Sequence, residues 1–320
     1  MPVSTKYELK IGAATREAFG RALVELGKKN KDVVVCDADL SKSTYTVYFQ
    51  KEFPERFFEC GIAEANMVAI GAGLSAAGKV AFVSSFSAFA INKGFEQLRV
   101  TAAYPNVPLK VVGTHSGISI GEDGPSQMSI EDLGLACNLP GFTVLSPADE
   151  VSMTACIHLA AEIHGPVFVR AGRSKAAMIY PTGTEFHAGG SHQLLDGNDV
   201  AIFANGLLVA EAIRAAEQLD AEGISARVID VYSVKPIDRE AIDRAARECR
   251  AIVVAEEHLK DTGIGSRVAQ VAAETTPCVM EFVGLSTYAE SGTPEAVLEH
   301  YGLMAKDIVA AVKRVLARKK

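Results

Sequence analysis

The sequence predicts an α/β protein of two doubly wound domains, in which a mainly parallel-sheet domain is followed by a smaller one. Short apolar runs rich in β-branched residues alternate with helical periodicity, which is typical of parallel sheets covered on both faces. The alternation stops at 171–198, where Gly, Pro, Asn and Asp cluster, and then resumes. Because 48% of the 320 residues are hydrophobic, two cores can be filled.

Five buried strands are expected in the first domain, each from a continuous apolar run. They lie at 32–36, 80–83, 109–112, 142–145 and 167–170. The patterns between them predict helices at about 12–28, 64–78, 86–103 and 149–163. Ligands of such a sheet bind where the carboxyl ends of the strands meet.

The second domain begins after a linker that we place at 176–195, so that the two domains are 1–175 and 196–320. Its strands are expected near 199–204, 224–229, 251–255 and 278–283. Its helices are expected near 206–222, 238–248, 264–275 and 305–318.

Charge and cysteine usage exclude several functional classes. The net charge of -7 is spread without a basic stripe, which argues against nucleic acid as a partner and means that a phosphorylated substrate requires local cations. No apolar run reaches the roughly 18 residues of a membrane span, so no membrane role is expected. Six scattered cysteines without a Cys-x-x-Cys pair, and a start without an apolar signal region, predict a cytoplasmic protein with neither a disulfide framework nor a zinc site.

Glu64 is the only ionisable residue in the apolar, small-residue segment 61–78. A buried carboxylate is costly unless a partner satisfies it. The small residues, together with Asn66, would let another backbone or a flat ligand approach closely. The alternative is that Glu64 only complements the dipole at a solvated helix N-terminus.

Phe86 and Phe89 are three residues apart, so on a helix they share a face and could stack on a planar heterocycle. Ordinary core packing is the alternative.

The segment 113–128 holds four glycines. In it His115 and Asp123 are suited to hydrogen-bonding sugar hydroxyls. Two adjacent acids in the same segment would repel an anion. The alternative is a surface loop with an incidental histidine.

Two arginines and a serine stand near the ends of predicted elements, namely Arg16, Ser43 and Arg170. The planar fork of arginine matches phosphate, so these residues would form an anion clamp if the fold brings them together. Each of them alone is equally compatible with a surface or salt-bridging role.

Together these segments resemble the carboxy-terminal half of transketolase over nearly the whole chain. Four ordered motifs carry the resemblance: Val33-Val-Val-Cys-Asp-Ala-Asp-Leu-Ser-Lys-Ser-Thr, Phe57-Phe-Glu-Cys-Gly-Ile-Ala-Glu-Ala-Asn-Met, Ser85-Phe-Ser-Ala-Phe and Gly113-Thr-His-Ser-Gly-Ile-Ser-Ile-Gly-Glu-Asp-Gly-Pro-Ser-Gln-Met. The resemblance implies a thiamine pyrimidine-binding domain followed by a transketolase C-terminal-type domain.

The resemblance implies thiamine diphosphate as cofactor and Glu64 and His115 as catalytic residues. The acid at the position of Glu64 hydrogen-bonds the aminopyrimidine ring and promotes the proton transfer that activates the cofactor. The implied cofactor-binding residues are Glu64, Phe86, Phe89 and Ile62. The implied substrate-binding residues are Arg16, Ser43, His115, Asp123, Gln127 and Arg170, and many transketolases have His in place of Gln127.

No Gly-Asp-Gly occurs in the chain. Full-length transketolases carry this motif and a downstream Asn in an amino-terminal domain, where they hold the Mg²⁺ that anchors the diphosphate. The resemblance therefore implies the small, or beta, subunit of a split transketolase, inactive alone and completed by a separate diphosphate-binding subunit in an assembly such as α2β2. Its implied reaction transfers a two-carbon ketol unit from a ketose phosphate to an aldose phosphate, in the pentose phosphate pathway or on an unusual sugar.

Three alternatives remain open at this point. A beta subunit of a 2-oxo-acid dehydrogenase shares the architecture but needs no phosphate clamp. A fragment of 1-deoxyxylulose-5-phosphate synthase fits the loop at 113–128 less well. A non-catalytic scaffold subunit would not need Glu64, His115 and Asp123 together. His258, which follows a predicted strand of the second domain, could reach the site, but we expect a structural role.

Overall fold

The computed structural model describes residues 9–319. The expected lack of an apolar signal region falls on residues 1–8, outside this described part. The strands, in chain order, are β1 (Ile11–Ala14), β2 (Val33–Asp37), β3 (Phe57–Glu59), β4 (Val80–Phe86), β5 (Lys110–Thr114), β6 (Thr143–Leu145), β7 (Val167–Arg170), β8 (Lys175–Ala177), β9 (His192–Leu195), β10 (Val200–Ala204), β11 (Ala226–Asp230), β12 (Ser233–Lys235), β13 (Ala251–Leu259) and β14 (Val279–Leu285).

The helices, in chain order, are α1 (Thr15–Lys29), α2 (Ser41–Thr44), α3 (Val47–Glu52), α4 (Glu64–Ala76), α5 (Ser87–Ala90), α6 (Phe95–Gln97), α7 (Asp132–Asn138), α8 (Glu150–Glu162), α9 (Leu208–Asp220), α10 (Arg239–Cys249), α11 (Ile264–Glu274), α12 (Pro294–His300) and α13 (Ala305–Arg318). Short 3₁₀ turns occur at Pro54–Arg56 and Gly121–Asp123, and a π-helical segment follows α6 at Leu98–Ala103.

The first domain is built on a seven-stranded sheet in the order β12-β6-β7-β5-β4-β2-β3. All neighbouring strands run parallel except β12 and β6. The five apolar runs of the sequence form β2, β4, β5, β6 and β7, and nearly all of their residues are buried. The predicted mainly parallel α/β fold is confirmed.

Helices cover both faces of this sheet. On one face, α1 and α8 pack Phe19, Leu23 and Ile157 against β2 and β4. On the other face, α4 packs Met67 against Val83 and its neighbours. This two-sided cover explains why the strands read as continuous apolar runs.

The second domain is built on a five-stranded sheet in the order β14-β13-β10-β11-β9, with β9 antiparallel to β11 and the other pairs parallel. Helices α9 and α13 cover one face, and α10 and α11 cover the other. Most of β8 and all of β9 fall in the segment 176–195 that the sequence suggested as a linker. The first of these pairs with β1, and the second joins the second sheet.

The two domains share part of their core. Strand β12 follows β11 of the second domain but pairs with β6 at the edge of the first sheet, with Ser233 opposite Leu145. Leu133 of the first domain lies in one apolar cluster with Val231 and Ile242 of the second. The junction between the domains is therefore a packed interior.

The single helix predicted at 86–103 is replaced by three shorter elements. Strand β4 continues to Phe86, α5 covers four residues, and a turn at 91–94 leads into α6 and the π-helical segment. Asn92 and Gly94 have low helix propensity, which favours the interruption. The turn places Lys93 beside the N-terminus of α4.

Candidate functional site

Glu64 is the first residue of α4 and is almost completely buried. Only 5% of its side chain is exposed, and its Oε1 accepts a hydrogen bond of 3.1 Å from Lys93 Nζ. Lys93 is 52% exposed, so the cation that balances the buried charge faces solvent. The carboxylate has the partner that its burial requires.

A line of contacts joins Glu64 to His115. Lys93 Nζ lies 4.5 Å from the ring centroid of Phe89. Phe89 stacks on Phe86 with ring centroids 5.6 Å apart, and Phe86 stacks on His115 with centroids 3.8 Å apart. The fold thus brings four predicted site residues from three separate segments of the sequence to one edge of the first sheet.

His115 directly follows β5 and is a neutral imidazole at physiological pH. Burial lowers the pKa of His115 to about 3, and the nearby cations Arg16 and Arg173 act in the same direction. Its Nδ1 lies 2.9 Å from Thr114 Oγ1, and its backbone adopts a left-handed conformation with φ of +58°. A neutral imidazole can donate one hydrogen bond and accept another, which suits contact with a hydroxyl group.

Ile62 and Phe58 form an exposed apolar surface near Glu64. Ile62 is 78% exposed, and Phe58 is also an exposed large hydrophobic residue. On α4 itself, Asn66, Ala69 and Gly73 are exposed. Helix α4 is therefore largely apolar on its open side as well as on its packed side, a pattern expected of a buried helix. Such a surface is typical of a contact with another protein or a flat ligand.

Arg16 and Ser43 are brought together as the sequence suggested. Arg16 Nη1 donates a hydrogen bond of 2.7 Å to the carbonyl oxygen of Ser43, and its Nε donates one of 3.1 Å to the carbonyl oxygen of Arg173. Within residues 9–319 the Ser43 hydroxyl makes no hydrogen bond, so it is available to a ligand. The turn that carries Ser43 is held by Asp37, which accepts bonds from Leu40 N and from the hydroxyls of two threonines.

Arg173, and not Arg170, stands beside Arg16. The Arg173 Nη1 atom donates to the carbonyl oxygen of Ile120 at 2.9 Å and forms an ion pair of 3.0 Å with Glu122, and its side chain remains partly exposed. Arg16 and Arg173 both act on the pKa of His115. Two guanidinium groups therefore lie near the imidazole, and one of them is bonded to the backbone of Ser43.

Arg170 is used inside the protein. Its Nε donates a hydrogen bond of 2.8 Å to Asp132 Oδ2, and its Nη2 donates to the carbonyl oxygens of Ser129 and Glu257. Arg170 and Asp132 are both buried. Among the described residues Arg170 makes no hydrogen bond to Arg16 or Ser43, and its contacts tie β7 to the second domain, so its place in the clamp stays a prediction.

Asp123 and Gln127 lie on the loop between His115 and α7. Asp123 is exposed and, among the described residues, its carboxylate makes no hydrogen bond or ion pair. The Gln127 side chain is partly exposed and contacts the neighbouring Ser126 hydroxyl. Both side chains are open to a ligand. His258 is fully buried, with Nδ1 against the carbonyl oxygen of Leu259, so the structure gives it internal contacts.

The sequence reasoning missed Lys93 and Arg173. Lys93 gave no local signal, because its partner Glu64 is 29 residues away in the chain. Arg173 was detectable, since it lies in the loop beyond the last residue of β7, where ligands of parallel sheets bind.

No group of three or more His, Cys, Asp and Glu side chains among residues 9–319 is placed to hold a metal ion. In the same residues, no helix has both the length and the apolar character needed to cross a bilayer.

Two family models match the chain. The transketolase pyrimidine-binding domain matches residues 12–178, and the transketolase C-terminal domain matches residues 189–308. This chain belongs to the transketolase family. The two matches follow one another in the order that the sequence motifs implied, and they correspond to the two sheets described above.

Two transketolase relatives have nearly the same extent as this chain. A putative transketolase C-terminal section of Methanocaldococcus jannaschii is 40% identical and covers 95% of this chain and 96% of its own length. A 6-deoxy-6-sulfo-D-fructose transketolase subunit of a Clostridium species is 37% identical, with 95% of each chain covered. The chain spans about half the length of the mammalian transketolases and transketolase-like proteins that it also matches.

A solved structure described as a split gene transketolase, inactive beta4 tetramer, has the same architecture. It superposes with a TM-score of 0.91 at 47% identity, covering 97% of this chain and 100% of that one. This chain therefore corresponds to the C-terminal part of a transketolase.

Proposed function

We propose that this chain is the C-terminal-type subunit of a split, thiamine-diphosphate-dependent transketolase, which moves a two-carbon ketol unit from a ketose phosphate to an aldose phosphate. One observation carries the proposal. A buried carboxylate, a pair of stacked phenylalanines and a neutral imidazole form one continuous line at the carboxyl edge of the sheet.

The residues present fit the pyrimidine ring of thiamine diphosphate. Phe89 is partly exposed and offers an aromatic face, and Ile62 is an open apolar side chain on the approach to Glu64. Glu64 can bind a ring nitrogen through its carboxyl group, since only one of its oxygens is engaged by Lys93. The cofactor, when bound, supplies the carbon nucleophile that ketol transfer requires.

The residues of this chain hold protons and orient the substrate. The carboxyl oxygen of Glu64 that Lys93 leaves free would exchange a proton with the ring nitrogen, and the surrounding apolar residues would exclude water from that contact. His115, as a neutral imidazole, exchanges hydrogen bonds with a sugar hydroxyl. Asp123 accepts hydrogen bonds from further hydroxyls, and Gln127 adds an amide contact.

The phosphate end of the sugar is assigned to Arg16, Ser43 and Arg173. Arg16 bonds to the backbone carbonyl oxygens of Ser43 and Arg173, both arginines act on His115, and the Ser43 hydroxyl is free among the described residues. Such a set matches a tetrahedral anion. A sulfonate is also a tetrahedral anion, and the Clostridium relative is named for a sulfo sugar, so a sulfonated ketose is the second candidate donor.

A separate subunit would supply the diphosphate and Mg²⁺ site, and the open apolar side of α4 with Ile62 and Phe58 is the surface that we assign to it. The related solved protein is described as an inactive beta4 tetramer, which is consistent with a beta subunit that needs a partner. We propose an α2β2 assembly in which each active site lies between the two kinds of subunit. Six free cysteines fit a reducing cytoplasm.

The test is reconstitution. The chain is mixed with its diphosphate-binding partner, thiamine diphosphate and Mg²⁺, and transfer is measured from xylulose 5-phosphate, from a sulfonated ketose and from pyruvate. We expect transfer from a ketose that ends in an anion, and a loss of kcat of at least about a hundredfold in Glu64→Ala and Glu64→Gln. Glu96→Ala, at an exposed acid in α6, is the matched control and should retain activity.

Full activity in Glu64→Ala would refute the proposal. Turnover of pyruvate alone would favour the beta subunit of a 2-oxo-acid dehydrogenase instead. If calorimetry finds no binding of thiamine diphosphate to the reconstituted complex, the chain is a scaffold subunit.

A further inference from the structure

Glu257 is a buried acid of the second domain that lies against the active-site loop of the first. It stands near the end of β13, beyond Ala255, the last residue that pairs with β10. The register between β13 and β14 shifts between Ala255 and Leu259. Such an irregularity re-aims side chains, and here it directs an acid out of its own sheet toward the first domain.

The carboxylate of Glu257 holds the backbone just after His115. Its Oε1 accepts a short hydrogen bond from the backbone N–H of Ser119. A methyl group added at Gly117 would lie 2.2 Å from the Glu257 carboxyl carbon, so the two are in close contact. The main-chain oxygen of Glu257 accepts a bond of 2.9 Å from Arg170 Nη2, which fixes the residue from the other side.

The loop needs such an external hold because its own backbone has little preference for one shape. His115, Gly117, Gly121 and Gly124 all have positive φ, and the backbone hydrogen bonds within the segment are those of short turns and of one bond from Gly117 N to the Ser129 carbonyl oxygen. The side chains of Ile118, Ile120, Met128 and Ile130 instead pack into the apolar cluster of the second domain. The second domain therefore packs against one side of the loop that carries His115, Asp123 and Gln127.

Burial and the groups around Glu257 act on its ionisation in opposite directions. Burial raises the pKa of Glu257, while Arg170 and the N–H group of Ser119 favour the ionised form. Arg170 is held in turn by Asp132, which also accepts a hydrogen bond of 2.9 Å from Ser87 Oγ, next to the stacked Phe86. One buried network thus joins the loop after β5, the aromatic pair and the second domain.

We propose that Glu257 is a positioning residue, through which the second domain fixes the loop that presents His115, Asp123 and Gln127 to the sugar. This role rests on the proposed function, and it gives the second domain a part in the geometry of an active site that lies on the first. Glu257 itself touches neither cofactor nor substrate in this role.

Glu256 provides a matched control. It is equally buried and adjacent, but its carboxylate accepts hydrogen bonds of 2.8 Å from the backbone N–H groups of Ile264 and Gly265 at the start of α11. Its contacts therefore lie within the second domain. Loss of Glu256 should affect the stability of that domain and leave the loop in place.

The test compares Glu257→Ala, Glu257→Gln and Glu256→Gln in the complex with the diphosphate-binding subunit. We expect Glu257→Ala to raise KM for the ketose phosphate about tenfold to a hundredfold. This is the loss of affinity that corresponds to one lost hydrogen bond of a charged group. The dissociation constant of thiamine diphosphate should change less than about twofold. Glu257→Gln keeps an acceptor oxygen and should recover most of the lost affinity, and Glu256→Gln should leave KM unchanged.

Amide hydrogen exchange of the chain gives a second readout that does not depend on activity. In Glu257→Ala, amides at 117–121 should exchange at least about tenfold faster, with no such change in Glu256→Gln. The proposal is overturned if exchange and KM both stay at wild-type values in Glu257→Ala, or if Glu256→Gln changes them equally. If the wild-type complex transfers no ketol unit, the proposed function fails while the exchange at Ser119 still decides whether Glu257 holds the loop.

Discussion

Lys93 Nζ lies 3.1 Å from Glu64 Oε1 and joins a half-exposed cation to a buried carboxylate. The two residues come from different elements, and the lysine also rests on the face of Phe89. The only cation bound to Glu64 in the described part of the chain is therefore one that solvent can reach. A ligand ring arriving at Glu64 would enter beside this pair and not through the packed core.

The first prediction concerns that pair. Lys93→Met should lower the free energy of unfolding of the isolated chain by about 1 kcal/mol, because it leaves a buried carboxylate without its cation, and the half-exposed lysine limits the loss. Urea denaturation measures the change. Lys79→Met is the control, since its ion pair with Asp32 is exposed on both sides and its loss should change the free energy of unfolding less than Lys93→Met does. Equal effects of the two variants would contradict the prediction.

The second prediction separates Arg170, the last residue of β7, from Arg173 in the loop after it. Arg173→Gln should raise KM about tenfold for a phosphorylated ketose and leave KM for the same ketose without phosphate unchanged, because a guanidinium contact to the anion is lost. Arg170→Gln should instead destabilise the fold by about 3–5 kcal/mol, since it leaves Asp132 buried without its cation. Steady-state kinetics and denaturation distinguish them. A selective loss of affinity for the phosphate in Arg170→Gln would return that residue to the clamp.

The third prediction uses two glycines on α4. A methyl group at Gly71 would lie 2.2 Å from Val83 Cγ1, so Gly71→Ala should destabilise the chain by about 1–3 kcal/mol. Nothing lies within 4 Å of a methyl group at Gly73, so Gly73→Ala should stabilise the isolated chain by up to about 1 kcal/mol through helix propensity. Denaturation of both variants tests this. A gain in Gly71→Ala would mean that α4 does not pack closely on β4.

The fourth prediction concerns pH. Burial raises the pKa of Asp230 to about 8, with the Tyr180 hydroxyl acting in the opposite direction through a hydrogen bond of 2.6 Å. This carboxyl therefore keeps its proton in the folded chain and loses it in the unfolded chain between about pH 4 and pH 8, so its contribution to stability falls as pH rises through this window. In Asp230→Asn the free energy of unfolding should fall less between pH 5 and pH 9.

A second variant makes this pH dependence falsifiable. Tyr180→Phe removes the hydrogen bond that favours the ionised carboxylate, so the decline in stability should extend to higher pH than in the wild type. Denaturation curves at several pH values test both variants. Identical pH profiles for the wild type and Asp230→Asn would show that this carboxyl does not keep its proton on folding.

The sequence was most informative where burial dictates residue type. Continuous apolar runs predicted β2, β4, β5, β6 and β7, because a strand covered on both faces admits few polar residues. Short elements such as β3 and β12 were not predicted, since three residues carry no periodic signal. The break in the helix at 86–103 was missed because one glycine and one asparagine are weak signals in an otherwise helical pattern.

The site could be predicted only as separate groups. Glu64 stood out because a lone acid in an apolar segment must be satisfied, and Phe86 and Phe89 stood out by their spacing. Their convergence with His115 depends on strand order, which periodicity does not determine. The role of Glu257 could not be predicted for the same reason, since its contact with Ser119 joins positions 138 residues apart.

Because β12 pairs with the first sheet, the two domains of this chain cannot be separated by a single truncation. A truncation between the domains would remove Ser233–Lys235 from beside β6 and leave the outer edge of that strand unpaired, although it would still pair with β7. It would also expose the apolar residues that flank β12, so each half would be prone to aggregation. Anyone expressing the pyrimidine-binding portion alone should graft this short strand back or retain the whole polypeptide.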